Sequence, residues 1–221
     1  MQVSVIITCH NYARYLSRAI RSVINQSITK HEYEIIVVDD ASTDETKKVI
    51  SSYSGLIKPV LLKQNVGLAA ARNEGIKAAL GRFVVNLDAD DYIDENLILV
   101  ESIFLNSNPN WDAVSCDYYL VDESEKHIKR ISGAKKPIAC GVMFRTDLLY
   151  GVGLYDESFK MREEEDLRLR FEKNHKIFNI ELPLYRYRKH ENNMTKNKNG
   201  MAKYKKILNK KHDVKNISDP A

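Results

Sequence analysis

Short apolar runs alternate with amphipathic segments four times along the first half of the chain. Four apolar runs rich in β-branched residues predict buried strands at residues 3–8, 33–39, 60–63 and 83–87. Apolar residues recur at helical spacing, or alanines accumulate, between and after these runs, which predicts helices at 13–26, 42–52, 67–80 and 95–105. Ser42 and Glu45 form a capping-box pattern at the start of the second helix. The alternation predicts an α/β fold whose central sheet is mostly parallel and flanked by helices.

The pattern is less regular after residue 110. Short strands are predicted at 113–121, 127–131, 142–145 and 176–180, and a helix at 164–173. We therefore expect a smaller added sheet beside the parallel one. The chain divides into a single domain at 1–195, with a ligand-binding half at about 1–110 and a second half at about 111–195, and a basic tail at 196–221.

Composition and charge narrow the class of protein. The 221 residues are 43% hydrophobic and 29% charged, as expected for one soluble globular domain, and the net charge of +4 is too mild to indicate nucleic acid. The three cysteines, Cys9, Cys116 and Cys140, form no zinc motif and are expected to be reduced thiols. With no basic leader and no run of about 18 apolar residues, we expect a cytoplasmic protein.

Polar side chains follow three of the predicted parallel strands. Ligands of open α/β sheets bind beyond the carboxyl ends of the strands. These residues are Thr8 and Asn11, Asp39 and Asp40, and Asp88 and Asp90. The spacing of two between Asp88 and Asp90 puts both carboxylates on one side of an extended chain, which suits Mg²⁺ or Mn²⁺. A solvated turn in which Asp91 caps the following helix explains the same residues without a metal.

Two further charged segments carry candidate chemistry. On charge alone, the acidic run at 161–166 is better explained by a helix N-terminus, with Asp166 and Arg170 as an ordinary i, i+4 pair. The segment 182–195 places Arg188 and His190 among aromatic residues. Guanidinium suits phosphate and imidazole suits Mn²⁺, so these two residues are candidates for a metal–phosphate site.

Five stretches together resemble one family. They are VSVIITCHNYARYLSRAIRSVINQS, YEIIVVDDASTDET, NVGLAAARNEGIKAALGRFVVNLDADD, REEEDLRLR and YRYRKHENN. Over about residues 2–195 they are similar to the family 2 glycosyltransferases, inverting enzymes with the GT-A (Rossmann-like) fold. The resemblance implies transfer of a sugar from a nucleotide-diphosphate donor, UDP-sugar by default, to an acceptor hydroxyl. It also implies Mn²⁺ or Mg²⁺, a saccharide or lipid-linked acceptor, and a place in bacterial surface polysaccharide or glycoconjugate synthesis.

The resemblance also implies roles for matching residues on the donor side. Thr8 and Asn11 would line the nucleotide pocket, and Asp40, with Asp39 beside it, would accept a hydrogen bond from the base. Gly67 would let the backbone approach the nucleotide, and Arg72 would face it.

The remaining implied roles concern the metal and the reacting groups. Asp88 and Asp90 would be the DxD motif, with Asp90 the direct metal ligand and His190 near metal and pyrophosphate. Glu165 and Asp166 would be the ED pair, with Asp166 the general base.

Other functions fit the pattern less well. A dinucleotide-binding oxidoreductase would have GxGxxG after the first strand, where this chain has TCHNYAR. A phosphatase would carry its DxD after the first strand rather than the fourth. A non-catalytic nucleotide-binding protein that retains the fold remains the alternative. The basic tail fits either a solvated helix face or peripheral contact with an anionic membrane.

Overall fold

One nine-stranded sheet forms the centre of the molecule, and the computed structural model describes residues 1–213. The strands are β1 (Val3–Cys9), β2 (Tyr33–Asp39), β3 (Lys58–Leu61), β4 (Phe83–Asp88), β5 (Tyr92–Ile93), β6 (Ala113–Val121), β7 (His127–Ile131), β8 (Val142–Arg145) and β9 (Ile177–Arg188). The helices are α1 (Ala13–Ile24), α2 (Thr46–Ser52), α3 (Leu68–Ala78), α4 (Leu97–Ser107), α5 (Thr146–Gly151), α6 (Glu163–Phe171) and α7 (Lys198–His212), with a 3₁₀ turn at Met194–Lys196.

The order of strands explains how the two halves of the chain make one site. The order is β3-β2-β1-β4-β8-β6-β9-β5, with β7 paired to β6. Strands β1 to β4 are parallel, and β8 joins β4 in the antiparallel sense. The predicted α/β class is confirmed, but the strands of the second half continue the first sheet instead of forming a separate one. The acidic segment of α6 is thereby brought close to the ends of β1 and β4.

Helices cover both faces of the parallel part of the sheet. On one face α1 buries Leu16, Ile20 and Val23 in the larger apolar cluster. On the other face α3 packs so closely that a Cβ added at Gly75 would lie 2.4 Å from Cγ2 of Ile6. The small residues of α3 therefore let this helix lie close to the sheet, which brings the loop before α3 next to the strand ends.

Two predicted boundaries differ from the structure for local reasons. Helix α2 begins at Thr46, because the Asp44 carboxylate accepts the Thr46 N–H, and Ser42 Oγ accepts the Asn11 N–H instead of capping a helix. Strand β9 continues well past residue 180, because a break in its register with β6 accommodates Pro183.

Most of the basic tail forms helix α7, which packs on the domain. In α7, Leu208 is fully buried, and the Tyr204 ring lies 6.0 Å from that of Phe159. The last eight residues of the basic tail, 214–221, lie outside the described part of the chain. Within residues 1–213 no helix combines the length and apolar character needed to cross a bilayer. Peripheral membrane contact stays a prediction.

Glu101 is a buried carboxyl that makes the stability depend on pH. It is 0% exposed in α4, and neither oxygen makes a regular hydrogen bond within residues 1–213. Burial raises its pKa well above the usual range, and the neighbouring Cys116 thiol acts in the opposite direction. The native state therefore holds a proton that the unfolded chain releases above its ordinary pKa of about 4.3.

We expect Glu101→Gln to remove one part of this pH dependence. Between pH 5 and pH 8 the free energy of unfolding of the wild type should fall relative to that of the variant. The difference should reach at most about 1.4 kcal/mol per pH unit, because the amide cannot ionise. Urea denaturation at several pH values measures it, with the exposed Glu181→Gln as control. Parallel curves for the wild type and Glu101→Gln would contradict the assignment.

Candidate active site

A cavity of about 420 Å³ lies at the carboxyl ends of β1 and β4. Ten residues are predicted to bind the donor or the metal, and six of them line this cavity: Thr8, Asp40, Gly67, Arg72, Asp88 and Asp90. The opposite wall comes from the start of α6 and from residues 193–195. The edge of the sheet that the sequence indicates is therefore the edge at which the cavity forms.

Asp40 shapes the loop that leads into α3. Its carboxylate accepts the backbone N–H groups of Val66 and Gly67, with oxygen–nitrogen distances of 2.7 and 2.9 Å. Gly67 has a φ of +92°, a conformation that favours glycine. The Asp40 carboxylate thus holds this loop against the cavity while remaining part of its wall.

Two of the predicted nucleotide-binding residues lie behind the cavity rather than in its wall. The Asp39 carboxylate is fully buried and accepts the Ser42 N–H at 2.9 Å, with its second oxygen free of hydrogen bonds within residues 1–213. The Asn11 side chain accepts the Thr43 N–H at 2.8 Å. Both residues fix the loop after β2, and Tyr12 and Asn65 stand in the wall instead.

Arg72 connects the donor side of the cavity to the acidic helix. Its guanidinium is 1% exposed and donates to Asp88 Oδ1 at 2.8 Å and to Glu163 Oε1 at 2.7 Å. The Cys140 sulfur lies 3.5 Å from Nη2. One buried cation therefore neutralises two carboxylates that come from opposite halves of the chain.

Three carboxylates cluster directly after β4. Oxygen atoms of Asp88, Asp90 and Asp91 lie within 4.8 Å of one another. Asp91 is almost fully buried, and its two oxygens accept the Tyr185 hydroxyl at 2.6 Å and the Arg188 N–H at 2.8 Å. Burial, together with the charges of Asp90 and Asp88, raises the Asp91 pKa well above its usual range. Asp91 is thus a structural anchor rather than a helix cap.

The other two carboxylates keep a free ligand position. Asp88 uses one oxygen for Arg72, and Asp90 uses one for His190 Nε2 at 2.8 Å. Among residues 1–213, these contacts leave the second oxygen of each carboxylate for a cation, and hard oxygen donors facing one cavity fit Mg²⁺ or Mn²⁺.

His190 and Arg188 position Asp90 from outside the cavity wall. Both ring nitrogens of His190 are engaged within the protein, because Nδ1 lies 3.2 Å from the Asn192 N–H nitrogen. His190 thus orients the Asp90 carboxylate in this structure, and its role as a metal ligand stays a prediction. Arg188 does not line the cavity. It donates to the Asp90 carbonyl at 2.8 Å and to Glu125 at 3.0 Å, and its contact with donor phosphate stays a prediction.

The acidic run turns a different pair of carboxylates toward the cavity than the sequence predicts. Helix α6 begins at Glu163, and both Glu163 and Glu164 line the cavity. Burial, with the neighbouring Glu164 carboxylate, raises the pKa of Glu163, and Arg72 acts in the opposite direction. Burial also raises the pKa of Glu164, and Arg72 acts in the opposite direction. A carboxylate of raised pKa at a cavity wall is suited to accept a proton.

Asp166 and Glu165 are held in ion pairs away from this cavity. The Asp166 carboxylate is 0% exposed, and it contacts Arg170 Nε at 2.8 Å, Lys211 Nζ at 2.6 Å and His212 Nε2 at 2.8 Å. Glu165 accepts two hydrogen bonds from Arg162, at 2.9 and 2.8 Å. The Asp166 carboxylate, which the sequence predicts to be the general base, is therefore enclosed by cations and does not line this cavity.

The hydrogen bonds around Asp166 lower its pKa, although burial alone would raise it. This is the reverse of what a proton acceptor near neutral pH requires. The i, i+4 pairing of Asp166 with Arg170 was the sequence signal for the structural role.

Comparison with known proteins places the sequence in one family. The model of the family described as Glycosyl transferase family 2 matches residues 4–180. An uncharacterized glycosyltransferase of Rickettsia prowazekii is 34% identical over 187 residues, covering 76% of this chain and 58% of the relative. The poly(ribitol-phosphate) β-N-acetylglucosaminyltransferase TarP of Staphylococcus aureus is 31% identical over 156 residues, covering 69% of this chain and 47% of TarP. The chain thus spans about half the length of these relatives.

Solved structures extend the comparison to the fold. The crystal structure of Staphylococcus aureus TarS residues 1–349 with UDP-GlcNAc has a TM-score of 0.77 and 25% identity, and the match covers 87% of this chain and 60% of that one. The expected GT-A fold is confirmed by this similarity.

We expect Asp166→Asn to lower the free energy of unfolding by about 3 kcal/mol, because it leaves Arg170 and Lys211 without their buried partner. Urea denaturation measures the loss. Asp156→Asn is the matched control, since Asp156 also contacts Lys211 at 2.7 Å but with a side chain 32% exposed. That variant should lose less than about 1 kcal/mol. An Asp166→Asn variant as stable as the wild type would contradict the anchoring role.

Proposed function

The chain belongs to glycosyl transferase family 2, and we propose that it transfers a sugar from a UDP-sugar to an acceptor hydroxyl with inversion at the anomeric carbon. The observation that carries the proposal is one cavity that Asp88, Asp90 and Glu164 all line. Beside it, Arg72 bridges Asp88 and Glu163, the residue that precedes Glu164. Such a cavity brings a site for a donor pyrophosphate next to a carboxylate able to take a proton.

The donor is held at the ends of β1 and β2. Tyr12, Asp40 and Asn65 offer an aromatic face and hydrogen-bonding groups to a base, while the loop before α3 approaches as bare backbone at Gly67. The structure of TarS with UDP-GlcNAc supports a UDP-sugar, and the name of TarP supports N-acetylglucosamine as the first sugar to test. The name of TarP also supports a polymer of the poly(ribitol-phosphate) type as the acceptor.

Asp88 and Asp90 would hold the divalent cation. A bound Mg²⁺ or Mn²⁺ supplies positive charge for the leaving diphosphate. Arg72 neutralises part of the carboxylate charge and keeps Asp88 oriented, and His190 does the same for Asp90. The protein thus supplies a fixed pair of oxygens rather than a flexible acidic patch.

Glu164 takes the catalytic role that the sequence assigned to Asp166. The acceptor oxygen bonds to the anomeric carbon as the bond from that carbon to the diphosphate oxygen breaks. The hydroxyl proton passes to the Glu164 carboxylate. Attack from the face opposite the diphosphate inverts the anomeric centre in one step. Glu163 stays bound to Arg72 and fixes the start of α6.

We expect Asp90→Asn to remove the effect of Mn²⁺ on UDP binding, because the amide oxygen is a weaker ligand than a carboxylate. Isothermal titration of UDP with and without Mn²⁺ measures the effect in the wild type and the variant. Asp94→Asn is the control, because Asp94 pairs with Arg186 and does not line the cavity. Mn²⁺ enhancement that survives in Asp90→Asn would exclude Asp90 as a ligand.

We expect Glu164→Gln to lower kcat by about 10²–10⁴-fold, the usual contribution of a general base. Binding of Mn²⁺ and UDP should persist. Release of UDP from UDP-GlcNAc with an acceptor present measures turnover.

Asp166→Asn, assayed at a temperature where it is folded, is the control and should retain far more activity than Glu164→Gln. The reverse order of activities would return the base to Asp166. A wild type that binds UDP and never turns over a UDP-sugar would favour the non-catalytic alternative.

A further inference from the structure

A second cavity, of about 410 Å³, lies on the other side of Glu164. Its walls come from β6, β8 and β9, from α6 and from the segment 133–139. Three residues line both cavities: Ile138, Ala139 and Glu164. A molecule in the second cavity therefore reaches Glu164 from the side opposite the Asp88 and Asp90 carboxylates.

The floor of the second cavity is apolar with a polar edge. Val142, Phe144 and Phe178 supply the apolar part, and Asn179 and Ser115 supply an amide and a hydroxyl. Ser115 Oγ donates to Asn179 Oδ1 at 3.0 Å, so these two polar groups already hold each other in place. A hydroxylated carbon chain, such as a sugar or polyol, combines the same apolar and hydrogen-bonding groups and would fit this floor.

Three carboxylates and three cationic side chains line the second cavity, but they do not pair with one another one to one. Of its three carboxylates, Glu165 is bound to Arg162, Glu172 lies 3.9 Å from Arg168, and Glu164 is the group shared with the first cavity. Lys135 and Lys136 line the cavity on the opposite segment and are exposed.

These two lysines have no acidic neighbour. Among residues 1–213, no carboxylate lies within 4 Å of either ammonium group. By contrast, Arg162 pairs with Glu165, and Arg168 lies 3.9 Å from Glu172. Their backbone N–H groups both donate to the Ser132 carbonyl, which fixes the two residues in one turn. Two adjacent, uncompensated ammonium groups attract an anion and suit phosphate.

We infer that the second cavity binds the acceptor, and that Lys135 and Lys136 select an acceptor that carries a phosphate group. The inference rests on the proposed function, since Glu164 would remove the proton of the acceptor hydroxyl. The phosphate is not transferred. Its contact with the two lysines places a neighbouring hydroxyl of the acceptor at Glu164.

The test compares acceptors that differ only in the phosphate. Glycerol 3-phosphate is paired with glycerol, and glucose 6-phosphate with glucose, and each is added to the full chain with UDP-GlcNAc and Mn²⁺. Acceleration of UDP release over hydrolysis by water is the readout. The phosphorylated member of at least one pair should accelerate release about tenfold more than its parent.

Variants then locate the selectivity. The double variant Lys135→Gln/Lys136→Gln should raise KM for the phosphorylated acceptor about tenfold. It should leave KM for the donor and the rate of hydrolysis by water unchanged. Lys129→Gln/Lys173→Gln is the matched control, because both lysines are exposed and line neither cavity. This control should leave every constant unchanged.

The outcomes separate this inference from the proposed function. UDP binding and hydrolysis of UDP-GlcNAc would support the proposed function. If the phosphorylated and parent compounds then accelerate UDP release equally, or not at all, selection of a phosphorylated acceptor is wrong and the proposed function stands. An unchanged KM in the Lys135/Lys136 double variant would also overturn the inference. If no nucleoside diphosphate binds, the proposed function fails and this inference fails with it.

Discussion

The site depends on one buried guanidinium. Arg72 is almost completely removed from water, and its positive charge is compensated by Asp88 on one side and Glu163 on the other. Removing one partner of a buried ion pair typically costs about 3–5 kcal/mol, so neither carboxylate can leave without a large penalty. The end of β4 and the start of α6 are therefore held at a fixed separation. The cavity between them is the space that this contact keeps open.

A second set of contacts keeps the neighbouring carboxylates together despite their repulsion. Asp91 is held by Tyr185 and by the backbone of Arg188, and Asp90 by His190. Strand β9 and the residues after it supply every one of these donors. The C-terminal part of the domain thus stabilises like charges that the N-terminal part presents, and one side of each of Asp88 and Asp90 stays available for a cation.

Much of this arrangement is predictable from the sequence because parallel strands end at a common edge. Apolar runs fix where β1, β2 and β4 end, and the polar residues that follow them must then meet. The two residues of α6 that face the cavity do not follow from this rule. Consecutive helix positions turn by about 100°, so four adjacent carboxylates point in different directions and composition does not distinguish them.

The direction of α6 is set by partners distant in the sequence. Asp166 is enclosed by Lys211 and His212 of α7, and Glu163 faces Arg72 of α3. No local sequence pattern predicts either of these contacts. The same holds for the second cavity, which forms only when β6, β8 and β9 are assembled next to α6. Sequence reasoning therefore locates the residues at the strand ends well and those that depend on distant partners poorly.

The claim that underlies this account is that the cavity at the ends of β1 and β4 binds a nucleoside diphosphate through a cation held by Asp88 and Asp90. Isothermal titration of the wild-type chain with UDP, GDP, CDP and dTDP, each with and without Mn²⁺, tests it most directly. We predict saturable binding of UDP at one site, with an affinity that Mn²⁺ raises. Absence of binding for all four nucleotides in the presence of Mn²⁺ would contradict the account.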